Sequence, residues 1–460
     1  MFPGFSVPGI IAPLKAPFCS RNNSLRKECL AQHIFQPNVS RSWVSEGTMD
    51  IFDTFDLGKI GEKGEAYTPY GIENVGLIVV GVEKDRITRD NMVVTASSVS
   101  FFTGILGLSN ANLVYNHGTF RPTPLVGNLK YPRNCFSYTA GSYGRHWFPP
   151  SLVFGGYDRY RVDPETTLEV DIRRTTSALE SSWWQFEVIM TSFDIEMTGI
   201  AEKQPMSPEL TGISVYLDPS TPYLWLPTWI CERFEAVLGI EWNETQQLYL
   251  LNASNHEQLR RLNPRVSFGL SSLRGDGQNK SFELPYSAFD LNVTYPLVES
   301  QSYYFPLKRV MRTNHYVLGR TFFQEAHISV DWDLGYFNIS QAKFSTNSHL
   351  VPARKGSIST DSSRYTGIGI GSLLGLLAFF LVVVGFYWKL KFNPSLHREP
   401  KEQFEDKAQL HGVAIPWVEL LPKERMELEA KEGIVEVTGS RLEGVVLHEM
   451  DAASVPICKS

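Results

Sequence analysis

Apolar residues along the first three quarters of the chain fall in short runs that Gly, Pro, Asn and Asp separate. Runs of this length that are rich in β-branched and aromatic residues are typical of β-strands. The clearest are Val75–Val82, Val93–Ala96, Leu152–Phe154, Ile213–Leu217, Tyr316–Leu318 and His327–Val330. The pattern predicts a large all-β region over residues 19–342.

One segment has the spacing of a helix instead. Its apolar residues share a face: Ile230, Phe234, Val237 and Leu238. Thr228 is placed to cap the helix start, and Gly239 is placed to end it. We therefore predict a helix over Thr228–Leu238.

Residues 366–388 carry no charged side chain. As a helix, a run of this length would cross a hydrocarbon core about 30 Å thick, in contact with membrane lipid. More Lys and Arg follow the run than precede it, which favours a cytoplasmic tail (389–460) and a lumenal or extracellular region (1–365).

Residues 344–365 are Ser/Thr-rich, as in a solvated stem. The tail is rich in Glu and Lys, and we predict that it is disordered and available to cytoplasmic partners.

Seven N-x-S/T triplets lie before the apolar run and none after it, because Pro394 disqualifies Asn393. Their asparagines are Asn22, Asn38, Asn243, Asn252, Asn279, Asn292 and Asn338. This distribution favours an exported, N-glycosylated region and a single-pass topology.

Composition narrows the classes of function. The net charge of −6 gives no reason to expect nucleic-acid binding, and 43% apolar with 12% aromatic residues excludes a disordered chain. The histidines have no pair at metal-ligand spacing, and the cysteines before residue 366 form no C-x-x-C, so we expect no metal site and no cofactor.

Five strings in order resemble a pepsin-like aspartic peptidase. They are Cys19–Cys29 followed by FQPNVSRSW, FFTGILGLS (Phe101–Ser109), NCFSYTAG with LVFGGYDRYRV (Asn134–Val162), ISVYLDPSTPYLWLP (Ile213–Pro227) and the closing YVLGRTFFQEAHISVDWDLGYFNIS (Tyr316–Ser340). The resemblance implies a bilobal double β-barrel with a peptide or protein ligand in the interlobe cleft. It places an incomplete first lobe at 19–162 and a second lobe at 163–343, after an irregular start (1–18).

The family's chemistry needs one aspartate from each lobe, normally in Asp-Thr/Ser-Gly-Ser/Thr, because one carboxyl stays protonated while the other activates water. Asp218 is in the second-lobe position. Pro219 lacks both the bracing hydroxyl and a backbone N–H. Ser220 stands where the family has Gly, and Thr221 matches.

The first-lobe motif does not stand out before Cys19. The nearest string, Phe52–Phe55, has no Gly and follows the cysteines, and Tyr70-Gly71 is the candidate for the family's flap. Prolines interrupt the short apolar runs at the start of the chain, so this segment is not a convincing signal peptide. We therefore expect that an N-terminally truncated gene model begins just past the first catalytic strand.

The resemblance also implies a disulfide between Cys19 and Cys29. Cys135 and Cys231 could bridge, pair with a missing partner or remain buried thiols, and Cys458 would be reduced in the cytoplasm.

Two functions remain open. One is an anchored aspartic peptidase whose first motif was lost, and the other is a non-catalytic surface protein that binds a ligand in the cleft. We expect the chain as written not to be a competent peptidase, because a lone carboxylate cannot act as both acid and base.

Overall fold

The computed structural model of the chain describes sixteen ranges of residues. They are 2–7, 9–13, 35–50, 68–77, 86–96, 104–110, 113–115, 118–120, 134–145, 148–173, 184–197, 212–275, 277–294, 297–310, 315–353 and 435–438. The chain divides into two compact units, and every described residue belongs to the unit made of Met1–Arg354 and Glu432–Ser460. The predicted span at 366–388 lies outside these ranges. Within them, no helix has the length and apolar character needed to cross a membrane.

Strands dominate the described residues, as the sequence predicts. They are β1 (Phe2–Gly4), β2 (Ile10–Pro13), β3 (Val44–Met49), β4 (Thr68–Leu77), β5 (Arg86–Ala96), β6 (Ile105–Gly107), β7 (Leu113–Tyr115), β8 (Gly118–Phe120), β9 (Cys135–Thr139), β10 (Ser151–Phe154), β11 (Gly156–Asp158), β12 (Leu168–Asp171), β13 (Glu187–Glu196), β14 (Ile213–Leu217), β15 (Leu224–Pro227), β16 (Glu241–Asn243), β17 (Leu248–Leu251), β18 (Arg265–Ser271), β19 (Asn279–Pro285), β20 (Leu291–Val293), β21 (Ser302–Phe305), β22 (Leu307–Val310), β23 (Tyr316–Leu318), β24 (Ala326–Asp331), β25 (Tyr336–Gln341), β26 (Leu350–Pro352) and β27 (Val435–Thr438). The α-helices are α1 (Thr228–Leu238), α2 (Ala253–Leu262) and α3 (Arg320–Phe323). Short 3-10 helices lie at Pro37–Val39, Arg159–Arg161, Pro164–Thr166 and Tyr286–Ala288.

Helix α1 has the predicted bounds. It ends at Gly239, which has the left-handed conformation that favours glycine, with φ of 65°. The predicted cap is wrong: Thr228 is the first helical residue, and Pro227 precedes the helix without a side-chain hydrogen bond. Because β15 ends at Pro227 in an extended conformation, the chain passes directly from strand to helix and leaves no separate capping residue.

Three large sheets organise the molecule. The first-lobe sheet has the order β1-β6-β2-β5-β4-β3, and the second-lobe sheet has the order β19-β18-β13-β14-β23-β15-β22, next to a smaller sheet β16-β17-β21-β20. A shared sheet, β12-β25-β24-β9-β10-β27, takes β9 and β10 from before residue 162 and β12, β24 and β25 from after it. The predicted lobe boundary therefore falls inside a sheet to which both sides contribute.

The irregular start predicted for residues 1–18 is wrong where the structure describes it. Phe2–Gly4 and Ile10–Pro13 are strands β1 and β2, and both pair with β6. Pro3 is tolerated because β1 is an edge strand, and Pro13 because it ends β2. Pro3 and Pro13, which interrupt the apolar residues at the start of the chain, therefore sit at positions where a strand accepts proline.

Part of the predicted stem also belongs to the folded body. β26 pairs antiparallel with β11, and the backbone N of His349 donates to Oδ1 of Asp158 at 2.9 Å. The rings of Phe344 and Phe148 lie 5.3 Å apart, edge to face. These contacts fix residues 344–353, so the part of the chain available as a solvated spacer begins later than predicted.

The prediction of disorder for the whole tail is wrong at four residues. Val435–Thr438 pairs antiparallel with β10, because its alternating β-branched pattern suits a strand and an edge strand offers unpaired backbone groups. The rest of 389–460 lies outside the described ranges. The pairing places this tail segment at the edge of the shared sheet, beside β10.

Candidate active site

The two lobes contain the same arrangement of three strands. β14 runs parallel to β23, and β15 returns antiparallel to β23. In the first lobe, β1 runs parallel to β6 and β2 returns antiparallel to β6. Each arrangement brings a loop, between β1 and β2 or between β14 and β15, to the place where the lobes meet.

The register assigns equivalent residues. Leu318 pairs with both Leu217 and Leu224, and Leu106 pairs with both Pro3 and Ile10. When Leu106 is matched with Leu318, Pro3 corresponds to Leu217. The next residue in each strand then follows: Gly4 is the first-lobe equivalent of Asp218.

Two glycines confirm this equivalence independently. A Cβ on Gly319 would lie 2.2 Å from the carbonyl oxygen of Tyr223 and 2.4 Å from that of Thr221. A Cβ on Gly107 would lie 1.9 Å from the carbonyl oxygen of Gly9 and 2.4 Å from that of Val7. Gly9 and Val7 are the residues that the register matches with Tyr223 and Thr221. The backbone of each loop therefore lies equally close to the glycine at the end of the neighbouring strand.

Asp218 is fully buried and bonded to both loops. Its Oδ1 accepts from the backbone N of Phe5 at 3.0 Å and from that of Ser220 at 3.0 Å. Its Oδ2 accepts from the backbone N of Ser6 at 3.3 Å and from the hydroxyl of Ser6. Three of these four hydrogen bonds come from the first lobe.

Burial is the main influence on the acidity of Asp218. It raises the pKa of this carboxyl above its ordinary value, while hydrogen bonds from Ser6, Ser220 and Phe5 act in the opposite sense with smaller effect. Among the residues that the structure describes, no second carboxylate contributes to the shift. The proton-sharing pair of carboxyls that the resemblance implied is therefore not formed by these residues.

The remaining predicted loop residues have different partners. The Thr221 hydroxyl accepts from Nε1 of Trp225 at 3.0 Å and from the backbone N of Tyr223 at 3.4 Å. It faces its own loop, so the one residue that matches the family motif makes none of the four hydrogen bonds to Asp218. Ser220 donates its backbone N–H to Oδ1 of Asp218, and its side chain makes a further, weaker hydrogen bond that lowers the pKa of this carboxyl.

Pro219 takes part in a second connection between the loops. Its carbonyl oxygen accepts from Nη1 of the buried Arg320 at 2.9 Å. The guanidinium of Arg320 lies over the ring of Phe2 at 3.4 Å from the ring centre. A cation–π contact therefore joins the lobes at the loop that lacks the family's bracing hydroxyl.

Phe5 replaces the corresponding hydroxyl residue in the first lobe. It is fully buried, with its ring centre 5.2 to 6.0 Å from those of four aromatic rings. They belong to Phe136, Tyr138, Phe186 and Phe323. Aromatic packing thus fixes the first loop, where the family is expected to use a hydrogen bond.

The comparison with protein families agrees with this architecture. The family model of eukaryotic aspartyl proteases matches residues 18–343. The chain belongs to this family. No curated protein matches the chain. In this aspartyl-protease-like protein, Gly4 occupies the place of the first-lobe aspartate.

Sequence reasoning missed Gly4, Phe5 and Ser6, although a signal was present. GFSVPGIIAP (residues 4–13) and DPSTPYLWLP (residues 218–227) share Ser, Pro and Pro at the same offsets. Searching for the carboxylate itself hid this internal repeat, because the first copy has Gly in that place. The predicted absence of the first catalytic strand is therefore wrong: β1 is its equivalent.

Several other predicted residues can be located. Tyr70 and Gly71 lie within β4, where Tyr70 is buried beside Val7 and Ile11 in one apolar cluster. The strings at Cys19–Cys29 and Phe52–Phe55, and Asn22 and Cys458, lie outside the described ranges. Six sequon asparagines are described, and each is exposed or partly exposed: Asn38, Asn243, Asn252, Asn279, Asn292 and Asn338.

Cys135 and Cys231 are both buried and are not bridged to each other. The Sγ of Cys231 lies 3.7 Å from the carbonyl oxygen of Leu226 and 3.6 Å from that of Lys308. Burial raises the pKa of this thiol to about 12, so Cys231 is the inert, buried kind of thiol. In the described ranges, no group of three or more His, Cys, Asp and Glu side chains could hold a metal ion.

Proposed function

We propose that this chain is a non-hydrolysing member of the aspartyl protease family whose interlobe region serves binding. The equivalence of Gly4 and Asp218 carries the proposal. Peptide hydrolysis by this family needs a protonated carboxyl and an ionised one that act on the same water. One carboxyl cannot be in both states at once, and Gly4 supplies none.

The surroundings of Asp218 support the same conclusion. A carboxylate has about four lone-pair sites, and the donors from Phe5, Ser6 and Ser220 supply four hydrogen bonds. A catalytic water would have to displace one of them. General-base activation of water at Asp218 is therefore unfavourable even before the missing partner is considered.

The test is a cleavage assay on the full chain produced in a eukaryotic secretory host. We expect no cleavage of denatured protein or peptide mixtures at pH 3–5 that a statine-type inhibitor suppresses, and no thermal shift with that inhibitor. An active family member serves as the positive control. Inhibitor-sensitive cleavage that disappears in Asp218→Ala would overturn the proposal in favour of an anchored peptidase.

We propose further that the described body is exported and glycosylated, and that residues 366–388 anchor it in a membrane. The uncharged run and the accessible sequon asparagines support this, whereas the pairing of Val435–Thr438 with β10 argues against it. A membrane-impermeant maleimide applied to intact cells distinguishes a cytoplasmic tail from a tail on the same side as β10. It would react with Cys458, and Cys458→Ser is the control. Labelling only after permeabilisation is expected for an anchored protein. Labelling of intact cells would put the tail on the same side of the membrane as β10 and remove the span from the proposal.

A further inference from the structure

We propose that Asp218 is a structural staple that joins the loop Gly4–Val7 of the first lobe to the loop Asp218–Thr221 of the second, with Ser6 as the residue that shares its proton. The inference rests on the proposed function, because a carboxylate committed to this role is not free for catalysis. It also explains what Asp218 does in a site where Gly4 has removed its partner.

The first argument is the direction of the hydrogen bonds. Phe5 and Ser6 donate three hydrogen bonds across the lobe interface, from two backbone N–H groups and one hydroxyl. Backbone N–H groups that are buried without an acceptor cost free energy comparable to a lost hydrogen bond. The first-lobe loop therefore depends on an acceptor from the second lobe, and Asp218 supplies it.

The second argument is how the site accommodates a proton. The N–H groups of Phe5, Ser6 and Ser220 can only donate, so none of them can accept a proton from a neutral Asp218. The Ser6 hydroxyl both donates and accepts. When Asp218 is ionised, Ser6 donates to Oδ2, and when Asp218 is protonated, Oδ2 can donate to the Ser6 oxygen. A hydroxyl at position 6 therefore lets the staple persist in either protonation state, and the Ser220 side chain, which also hydrogen-bonds to Asp218, is a second hydroxyl at the carboxyl.

The third argument is the fixed position of the loops. Phe5 is held by its four aromatic neighbours, and Arg320, the charged group on helix α3 behind the second loop, is engaged by the Pro219 carbonyl and the Phe2 ring. These contacts hold the donors in place around the carboxylate. Backbone N–H groups held in this way lose little further conformational entropy when they donate to Asp218.

The test combines hydrogen exchange and thermal unfolding in the full chain. In the unmutated protein, the amides of Phe5 and Ser6 should exchange slowly. Asp218→Ala should accelerate both by about tenfold to a hundredfold and lower the unfolding temperature, because it leaves buried donors without an acceptor. Asp194→Ala, at a partly exposed site on β13, is the matched control and should change neither amide.

A double-mutant cycle tests the role of Ser6. Asp218→Asn can direct its carbonyl oxygen to Phe5 and Ser220 and its amide NH₂ to the Ser6 hydroxyl, so it should be milder than Asp218→Ala. The NH₂ faces the backbone N–H of Ser6 in either background, but Ser6→Ala also removes the hydroxyl that would accept from it, so the combined loss in unfolding temperature should exceed the sum of the single losses. Ser6→Thr keeps a hydroxyl and should retain most of the stability.

The outcomes separate the staple from the proposed function. Unchanged exchange at Phe5 and Ser6 in Asp218→Ala, or additive effects in the cycle, would overturn the staple even if the protein cleaves nothing. Inhibitor-sensitive cleavage by the unmutated chain would instead overturn the non-hydrolysing proposal, even if Asp218→Ala unfolds more easily.

Discussion

Gly4 stands at the position in the first lobe that Asp218 holds in the second. Gly4 is the last residue of β1 that pairs in parallel with β6, and Asp218 directly follows the residues of β14 that pair in parallel with β23. The two positions are also close in space, since a Cβ on Gly4 would lie 3.4 Å from the Cβ of Ser220. The fold has therefore kept the geometry of a two-carboxylate site while one carboxylate is absent. The hydrogen bonds that remain join the lobes through Asp218.

A side chain at position 4 should destabilise the protein. A Cβ there would lie 2.4 Å from Cγ2 of Ile105, so Gly4→Ala forces Ile105 or β1 to move, at a cost of about 1–3 kcal/mol in the free energy of unfolding. Gly4→Asp should cost more, because it adds a second buried carboxyl near Asp218. Urea unfolding measures both.

Ile105→Ala provides the control for that prediction. Alone it should destabilise by leaving a cavity, but in combination with Gly4→Ala it removes the clash, so the two effects should not add. Equal stability of Gly4→Ala and the unmutated chain would contradict the close packing of β1 against β6.

The second-lobe half of the site could be predicted from the sequence, because Ile213–Leu217 is a recognisable strand and Asp218 follows it in the expected place. The first-lobe half was missed, because Gly4, Phe5 and Val7 share no chemistry with the motif that was sought, and the Ser, Pro and Pro that residues 4–13 share with residues 218–227 do not by themselves assign the positions. Their assignment rests on the register of β1 with β6, and a sequence does not state which strands pair. The same holds for β26 and β27, which lie in segments with the composition of a stem and a tail.

Glu325 should make the protein less stable as the pH rises towards neutrality. Burial raises the pKa of Glu325 to about 7, and the ion pair with Arg145 at 2.8 Å opposes this only in part. The folded state therefore binds this proton more tightly than the unfolded state, whose pKa is near 4.5. The contribution is fully present below pH 4.5 and is lost as the pH rises through 7, at most about 3 kcal/mol.

Glu325→Gln tests this sign. The variant should lose less stability than the unmutated chain between pH 5 and pH 8 in urea unfolding. Glu283→Gln, at an exposed position, should leave the slope unchanged. A slope that is the same in all three proteins would contradict the raised pKa of Glu325.

His327 should have the opposite effect: it should make the protein more stable as the pH rises on the acid side of neutrality. Burial, and secondarily Arg161, lower the pKa of His327 to about 3, while Asp158 opposes the shift. The unfolded chain binds this proton below about pH 6.5 and the folded chain only below about pH 3, so stability is lost as the pH falls through that interval. Between pH 4.5 and 6.5 the slopes from His327 and Glu325 offset each other.

Single and double variants at these positions separate the two contributions. His327→Gln should leave stability falling with pH across 4.5–6.5, in the sense set by Glu325 and shared by the raised pKa of Asp218. Glu325→Gln should shift the slope of stability with pH in the opposite direction, and the double variant should lie between the two single variants. If His327→Gln and Glu325→Gln shifted the slope in the same direction, one of the two assigned pKa shifts would be wrong.

Asn252 should carry a glycan and cap a helix at once, and the two roles can be separated. Its Oδ1 accepts from the backbone N of Asn255 at 2.8 Å at the start of α2, while a glycan would be attached to the other atom of the amide, Nδ2. Ser254→Ala removes the sequon and keeps the cap. Asn252→Asp removes the glycan acceptor and keeps a capping oxygen, whereas Asn252→Ala removes both.

In a secretory host, all three variants should therefore lose one glycan, seen as the same mobility shift that endoglycosidase treatment abolishes. Only Asn252→Ala should also lose about 1 kcal/mol of stability once the glycans have been removed from every sample. Unchanged mobility in all three would show that Asn252 is not glycosylated. A stability loss in Ser254→Ala as large as in Asn252→Ala would show that the asparagine oxygen does not account for the start of α2.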